Sequence, residues 1–318
     1  MVARIGITLG DPAGIGPEVV VAALAANPGW VASCRVFGSS AVLGQAAHAM
    51  GLALPRGLDV SELPCGPITF GRPDLVSAAA QMAWLDAAVA AALRGEVAGL
   101  VTAPISKTWA ARAGLAFPGH TELLAHRFGA SQVAMAFLGK RLNVVLATTH
   151  VPLAEVPRVL TSAKIVHAAS LLYAVLRDEF AIAAPRLGIV GLNPHAGEGG
   201  ALGREEQTVI APAIASLAAA GIAAAGPLVP DVAFRQQLDG AFDGLVAMYH
   251  DQALIPVKLI EFDEAVNTTL GLPIVRTSPD HGTAYDIAGQ RRARAASMEA
   301  AIGLALRMLA SRRRRGVA

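Results

Sequence analysis

Residues 187–200 read LGIVGLNPHAGEGG. The run begins with apolar and β-branched residues, which predict a buried strand. It stops at Asn193-Pro194, presents His195 and continues into glycine, a composition typical of a turn. Ligands of open α/β sheets bind beyond the carboxyl ends of the strands, so His195 is a candidate ligand-binding residue. A hydrogen-bonding loop residue is the alternative for one such histidine taken alone.

Two further predicted strands end in the same way. LNVVLATTH ends on His150 and GLVAMYH ends on His250. Three neutral imidazoles suit a divalent transition metal ion that keeps an open position for substrate. Asp251, beside His250, could bind the ion or orient the imidazole. The three histidines are far apart in sequence, so the residues alone leave a metal site and three separate loop histidines equally open.

Apolar runs alternate with helical patterns along the chain of 318 residues. Residues 75–94 predict a helix with Asp74 as its N-cap and Gly95 as its stop. QVAMAFLG and LNVVLATTH predict neighbouring strands joined by a tight turn at Lys140-Arg141. The alternation predicts an α/β fold with a parallel or mixed sheet covered on both faces, and the chain length fits two α/β lobes.

Composition narrows the class of protein. The chain is 54% hydrophobic and 16% charged, which is typical of a folded protein. Its net charge of +2 does not favour a nucleic-acid partner, and much of its apolar content is alanine, so we expect no membrane partner. Only Cys34 and Cys65 are present, far apart, and a strand is predicted close to the first residue. We therefore expect no secretory signal and a cytoplasmic location.

Other polar residues are predicted at strand ends or turns. Lys258 and Arg276 emerge from apolar stretches, where a buried charge needs a partner: an anionic ligand, an internal ion pair or contact with solvent. The turn GDPAGIGPE, residues 10–18, is neither a dinucleotide-binding fingerprint nor a P-loop. Its glycines either bind an anion through backbone amides or serve the conformation of the turn. The remaining polar residues of this kind are His120 and Thr121 in FPGHTE and Asn267 in VNTTLG.

Seven segments, taken together, resemble the 4-hydroxythreonine-4-phosphate dehydrogenase family of vitamin B6 biosynthesis. They are GDPAGIGPE, VTAPISK, FPGHTE, ATTHVPL, GLNPHAGEGG, AMYHDQ and VNTTLGLPIVRTSPDHGTAYDIAG. The resemblance extends from the first strand to about Gly289. It implies an isocitrate/isopropylmalate-dehydrogenase-like fold of two α/β/α lobes with a central cleft, acting as a homodimer with the active site at the interface. We expect residues 1–120 and 283–318 in the first lobe, and 121–282, with the metal-binding histidines, in the second.

The resemblance also implies roles for individual residues. One of the three metal-binding histidines, His150, His195 and His250, comes from the partner subunit in this family. The segment DHGTAYDIAG resembles the adenosine-side loop of the isopropylmalate dehydrogenases and implies contacts to a nicotinamide cofactor. Lys258 is the candidate proton carrier, with Asp231 behind it. The implied substrate-binding residues are His120, Thr121, Lys258, Asn267 and Arg276, and the cofactor-binding residues are His281, Gly282, Thr283, Ala284 and Asp286.

The implied reaction is the metal-dependent oxidation of 4-phosphooxy-L-threonine by NAD or NADP. Its product is a β-keto acid that decarboxylates to 3-amino-2-oxopropyl phosphate, and the metal (zinc, magnesium or cobalt) binds the substrate hydroxyl. One alternative is a related dehydrogenase of another phosphorylated hydroxy acid, such as a four-carbon sugar-acid phosphate. A second is a non-catalytic, metal-dependent protein that binds a phosphorylated ligand, suggested by the unusual residues at 229–232 and 290–296. The residues do not choose between NAD and NADP.

Overall fold

A computed structural model describes residues 4–114, 116–117 and 119–316 of the chain. Its residue contacts define two units, Met1–Ser131 with Leu272–Ala318, and Gln132–Gly271. Within the described residues, the strands are β1 (Ile5–Thr8), β2 (Cys34–Gly38), β3 (Asp59–Glu62), β4 (Gly99–Thr102), β5 (Ala134–Leu138), β6 (Asn143–Leu146), β7 (Leu187–Val190), β8 (Ala224–Leu228), β9 (Gly244–Ala247), β10 (Val266–Leu270) and β11 (Val275–Ser278).

The helices lie between these strands. Short 3-10 turns occupy Pro28–Ser33, Leu153–Glu155 and Pro194–Gly200, and a π-turn at Glu206–Ile210 leads into the eighth helix. The described α-helices are α1 (Gly16–Ala26), α2 (Ser40–Met50), α3 (Leu75–Leu93), α4 (Lys107–Arg112), α5 (His120–Arg127), α6 (Val156–Val159), α7 (Ser162–Asp178), α8 (Ala211–Ala219), α9 (Pro230–Leu238), α10 (His250–Glu261) and α11 (Ala296–Arg314).

The first unit contains a parallel sheet in the order β3-β2-β1-β4-β11. All four residues of β1 are buried, so helices cover both faces of this strand. Helix α3 contacts β1, β2 and β4, and α11 contacts β4 and β11. This arrangement confirms the predicted α/β class for the first unit.

Helix α3 begins and ends where the sequence predicts. The backbone N–H of Ser77 donates to Oδ1 of Asp74 at 2.8 Å, and Gly95 follows the helix with a φ of +73°. By length and hydropathy α3 could cross a membrane, as could the sharply bent pair Leu153–Val159 and α7 if it formed one span. In α3, 56% of the most apolar window is buried against the rest of the unit, as in the core helix of a globular fold.

The second unit contains a mixed sheet in the order β10-β5-β6-β9-β7-β8. Strand β5 pairs antiparallel with β10 and β6, whereas β6, β9, β7 and β8 pair in parallel. The predicted β5–β6 hairpin is confirmed. Its turn is bound by the carboxylate of Glu261 on α10, which accepts hydrogen bonds from the backbone N–H groups of Lys140, Arg141 and Leu142 at 2.8–2.9 Å.

The structure corrects the predicted setting of three polar residues. Lys258 lies inside α10, although Pro256 interrupts the hydrogen bonding of that helix. Asn267 and Arg276 lie within strands β10 and β11 and not at their ends. The prediction ended the helix or strand at each of these residues, but in the structure the element continues beyond it.

Candidate active site

The three histidines follow three neighbouring parallel strands. Strand β9 lies between β6 and β7, with Leu146 opposite Ala247 and Ile189 opposite Val246. The carboxyl ends of these strands therefore share one edge of the sheet. His150, His250 and His195 follow β6, β9 and β7 within a few residues.

His150 and His250 are in contact. Their ring centroids lie 5.7 Å apart, with the planes tilted by 40°. The register of β6 and β9 brings them together, and the hydroxyl of Thr148 fixes it by donating to the carbonyl of Met248 at 2.7 Å. Two imidazoles at this separation could provide two of the ligands of a metal site.

Asp251 is positioned to orient the imidazole of His250. Its Oδ1 lies 2.7 Å from Nδ1 of His250. A carboxylate in this position favours the tautomer that carries its proton on Nδ1, so Nε2 becomes the nitrogen that can bind a metal ion. This geometry supports one of the two roles considered for Asp251, that of orienting the histidine.

Gln252 connects two of the strand ends, and the sequence did not indicate it. Its Oε1 accepts from the backbone N–H of Met248 at 2.7 Å, and its Nε2 donates to the carbonyl of Gly191 at 2.7 Å. The side chain thus joins the end of β9 to the end of β7. The side chain is largely buried. Its position in the segment AMYHDQ, two residues after His250, was the available sequence signal.

His195 lies in a left-handed turn. All five residues from His195 to Gly199 have positive φ, between 42° and 80°, and three of them are not glycine. Such a conformation costs about 1–2 kcal/mol for each non-glycine residue and persists only where its surroundings fix it. Gly191 permits close packing of the turn, because a Cβ there would lie 3.1 Å from Cα of Ala196.

Glu206 fixes the start of this turn. Its Oε1 accepts from the backbone N–H groups of Leu192 and Asn193 at 2.8 and 2.7 Å, and its Oε2 accepts from Nδ2 of Asn193 at 2.9 Å. Burial raises the pKa of Glu206, but the hydrogen bonds from Asn193 and Leu192 outweigh burial and hold the pKa below its usual value. The carboxylate therefore stays charged and keeps the chain that leads to His195 in place.

The donor set fits a divalent metal ion only in part. Across residues 4–114, 116–117 and 119–316, no three His, Cys, Asp or Glu side chains form a group that could bind an ion. His150 and His250 offer two imidazoles of suitable chemistry, and His195 is not brought into a three-ligand group with them. The described residues of one chain thus supply an incomplete ligand set.

A second group of polar residues lies in the first unit. Arg276 is 3% exposed, and its Nη2 donates to Oγ1 of Thr102 at 2.8 Å. Burial lowers the pKa of Arg276 to about 10, although the nearby Glu122 acts in the opposite direction. The guanidinium is therefore a buried cation at neutral pH, a suitable partner for an anion.

His120 is the first residue of α5, beside this cation. Burial lowers its pKa well below the usual value, and the charges of Arg276 and Lys107 lower it further. The ring is neutral at pH 7, and its Nε2 is shielded from solvent with no hydrogen-bond partner among the described residues. An orphaned buried nitrogen next to a cation indicates a place for a ligand atom or a water molecule.

Lys107 is a further cation near the start of α5 that the sequence analysis did not single out. A Cβ on Gly119, the N-cap of α5, would lie 3.9 Å from Nζ of Lys107. His120 and Thr121 form the first turn of that helix, where backbone N–H groups favour an anion. The motif VTAPISK, which contains Lys107, was the available signal.

The remaining predicted substrate residues lie in the second unit. Asn267 has an Oδ1 that is shielded from solvent and has no hydrogen-bond partner among the described residues. Lys258 is half-buried on α10, and its Nζ lies 5.9 Å from the centroid of the Phe262 ring. Asp231 is exposed in the first turn of α9.

The predicted cofactor residues form one loop of the first unit. Nδ1 of His281 lies 3.0 Å from the carbonyl oxygen of Gly282, while its Nε2 is shielded and has no partner among the described residues. Ala284 adopts a left-handed φ of +45°, and Asp286 is exposed. The loop packs on the turn GDPAGIGPE, where a Cβ on Gly14 would lie 2.6 Å from the carbonyl oxygen of Thr283. This close approach supports a conformational role for that glycine.

Known proteins are similar to this chain over most of its length. Residues 31–305 match the family model "Pyridoxal phosphate biosynthetic protein PdxA". A 4-hydroxythreonine-4-phosphate dehydrogenase of Desulfosudis oleivorans is 46% identical over 95% of both chains. The crystal structure of the Klebsiella pneumoniae 4-hydroxythreonine-4-phosphate dehydrogenase superposes with a TM-score of 0.86 at 36% identity, covering 96% of this chain and 99% of that one.

A more distant solved structure shares the architecture. A terephthalate 1,2-cis-dihydrodiol dehydrogenase from Burkholderia xenovorans superposes with a TM-score of 0.67 at 30% identity, covering 95% of this chain and 97% of that one. These relatives are dehydrogenases, and the match spans nearly the whole of each. The chain is therefore a dehydrogenase, and it belongs to the pyridoxal phosphate biosynthetic protein PdxA family.

Proposed function

We propose that this enzyme oxidises 4-phosphooxy-L-threonine with NAD or NADP to a β-keto acid, which decarboxylates to 3-amino-2-oxopropyl phosphate. The names of the relatives support the substrate and the B6 pathway. The observation that carries the proposal is the neutral His120, whose buried Nε2 has no hydrogen-bond partner in the described part of the chain, close to the buried cation Arg276. A phosphate or carboxylate oxygen would accept a hydrogen bond from His120 and neutralise the guanidinium.

Each substrate contact in this proposal has a defined chemistry. Arg276 offers a planar fork to an anionic group, and His120 and Thr121 present the first turn of α5 to it. Asn267 accepts a hydrogen bond from a substrate hydroxyl or amine through its Oδ1, for which the described residues provide no donor. Lys258 provides a point charge and is the proposed proton carrier, with Asp231 as its acidic partner.

A divalent ion would be bound by His150, His195 and His250, with Asp251 orienting His250. When bound, such an ion polarises the substrate hydroxyl and later the new carbonyl, while the nicotinamide ring accepts hydride. Imidazole ligands suit zinc and cobalt better than magnesium. His281, Gly282, Thr283, Ala284 and Asp286 would contact the cofactor.

The active enzyme in this proposal is a homodimer. In the described part of one chain no third ligand joins the His150–His250 pair, and α10, which begins at His250, exposes an apolar stripe. Ile255, Leu259 and Phe262 are 68%, 84% and 57% exposed and recur at helical spacing. A second copy that covers this stripe would bury it and bring a further histidine toward the His150–His250 pair.

The setting of the proposed reaction is the cytoplasm. Cys34 and Cys65 are both free thiols, in agreement with a reducing compartment. The net charge of +2 does not favour a nucleic acid, so the proposed partners are the small phosphorylated substrate and a second copy of the chain.

A dehydrogenase of another phosphorylated hydroxy acid is the second candidate. The Burkholderia xenovorans relative, named for a different substrate, shows that this architecture serves other dehydrogenases. A four-carbon sugar-acid phosphate would use the same Arg276 and His120. The alternative of a binding protein without catalysis is not retained, because the relatives that match over nearly the whole chain are dehydrogenases.

A substrate panel separates the two candidates. The enzyme is stripped of metal, reloaded with zinc, cobalt or magnesium, and assayed for reduction of NAD and NADP. Reduction with 4-phosphooxy-L-threonine supports the proposal. Reduction only with a sugar-acid phosphate supports the second candidate, and tight ligand binding without any reduction would contradict both.

A further inference from the structure

The hydroxyl of Tyr285 donates a hydrogen bond to Oδ2 of Asp11 at 2.7 Å. This contact joins the 281–289 loop to the β1–α1 turn, 274 residues away in sequence. Asp11 is fully buried, and its Oδ1 accepts from the backbone N–H of Ala13 at 2.9 Å. Both carboxylate oxygens therefore have a partner, as burial of an acidic group requires.

Three further contacts join the same two segments. The backbone N–H of Ile15 donates to the carbonyl of Thr283 at 2.9 Å. At the other end of the loop, Oε2 of the buried Glu18 accepts from the backbone N–H of Gly289 at 3.2 Å. Gly14 lies directly against Thr283, where any side chain would intrude. The loop is thus attached at its start, its middle and its end.

The chemistry of the Asp11–Tyr285 pair keeps it formed. Burial raises the pKa of the Tyr285 hydroxyl, so this group remains a hydrogen-bond donor at any physiological pH. Burial also raises the pKa of Asp11, and the hydrogen bonds from Tyr285 and Ala13 counter that effect. Removing the Tyr285 hydroxyl would leave a buried carboxylate oxygen short of one donor.

We propose that Asp11, Gly14, Glu18 and Tyr285 are positioning residues that hold the 281–289 loop ready for the nicotinamide cofactor. This inference rests on the proposed assignment of His281 to Asp286 to cofactor binding. A loop already held in its bound conformation loses little conformational entropy on binding, and so binds more tightly. The glycine-rich turn then acts on the cofactor through the loop.

Gly14→Ala is the primary test. Gly14 has an ordinary φ, so alanine is compatible with the backbone, and its Cβ would meet Thr283 at 2.6–3.3 Å. Gly44→Ala is the matched control, because a Cβ there has nothing within 4 Å. Tyr285→Phe, which retains the ring and removes the donor, is the second variant, with Tyr173→Phe on α7 as its control.

The readouts are dissociation constants for NAD and NADP, KM and kcat for cofactor and substrate, and amide hydrogen exchange of residues 281–289. In both test variants we expect cofactor Kd and KM to rise about tenfold, with kcat and the substrate Kd changed by less than about twofold. Exchange in the loop should be faster than in the controls even without cofactor.

Three results would overturn the inference in different ways. A wild-type enzyme that binds neither NAD nor NADP refutes the proposed function and this inference with it. A wild-type enzyme that binds cofactor, with Gly14→Ala and Tyr285→Phe matching their controls in cofactor Kd and in loop exchange, refutes the positioning role alone. A variant that is less stable yet unchanged in cofactor Kd also refutes it.

Discussion

Nδ1 of His250 lies 2.7 Å from Oδ1 of Asp251, the residue that follows it in the chain. A carboxylate that orients a metal-binding imidazole raises the metal affinity by a factor of about 10 to 100. We expect Asp251→Ala to weaken zinc affinity by about that factor, measured by competition with a chelator. Asp239→Ala, which removes an exposed carboxylate paired with Arg235, is the control. Equal zinc affinity in the two variants would exclude the orienting role.

Glu206→Gln should loosen the left-handed turn that carries His195. Removing the charge from a buried acceptor of three hydrogen bonds should lower the free energy of unfolding by about 1–3 kcal/mol at pH 7. Urea unfolding measures this loss, and Glu264→Gln, at an exposed ion pair with Lys140, should cost little.

The effect of Glu206→Gln should also depend on pH. The folded-state pKa of Glu206 lies below its unfolded value, near 4.5, so its stabilising contribution is complete above that value. It is lost as the pH falls through the folded-state pKa. The difference in stability between wild type and Glu206→Gln should therefore shrink on acidification below 4.5, and a difference that grows there would contradict this account.

Arg276→Lys tests the buried cation. Lysine keeps the charge but loses the planar fork, so we expect the Kd for 4-phosphooxy-L-threonine to rise about ten- to hundredfold. The Kd for the same compound without its phosphate should change much less. Arg158→Lys, at an exposed pair with Glu155, is the control. Equal losses for both ligands would show that Arg276 does not bind the phosphate.

Leu259→Asp tests the apolar stripe of α10. A charge at this 84% exposed position would oppose burial against a second copy, so the dimer should dissociate and zinc affinity should fall with it. Sedimentation velocity and zinc titration measure the two effects. Leu93→Asp, at an exposed leucine that ends α3, should change neither. A dimer that persists in Leu259→Asp with full zinc affinity would place the interface elsewhere.

Local patterns predicted part of this structure well. The cap at Asp74, the β5–β6 hairpin and the strands before the three histidines depend on short runs of residues, which a sequence displays directly. The order of the strands in the sheet cannot be derived from such short runs, because the pairing of β6 with β9 joins segments about 100 residues apart. The contact between His150 and His250 follows from that pairing.

Long-range polar contacts explain what the sequence could not show. Gln252 reaches Gly191 across 61 residues, and Asp11 reaches Tyr285 across 274. Nothing in the neighbouring residues indicates either partner. Lys258 was predicted at a strand end or turn in the segment IPVKL, whereas α10 continues through Pro256 to Glu261.

The ratio of carbon dioxide released to nicotinamide reduced, with 4-phosphooxy-L-threonine as substrate, tests the central claim most directly. The metal-stripped enzyme should release neither product. Zinc or cobalt should restore both at one molecule of carbon dioxide for each cofactor reduced, with 3-amino-2-oxopropyl phosphate identified by its mass. Full activity without any divalent ion, or reduction without loss of carbon dioxide, would contradict the proposed metal-dependent oxidative decarboxylation.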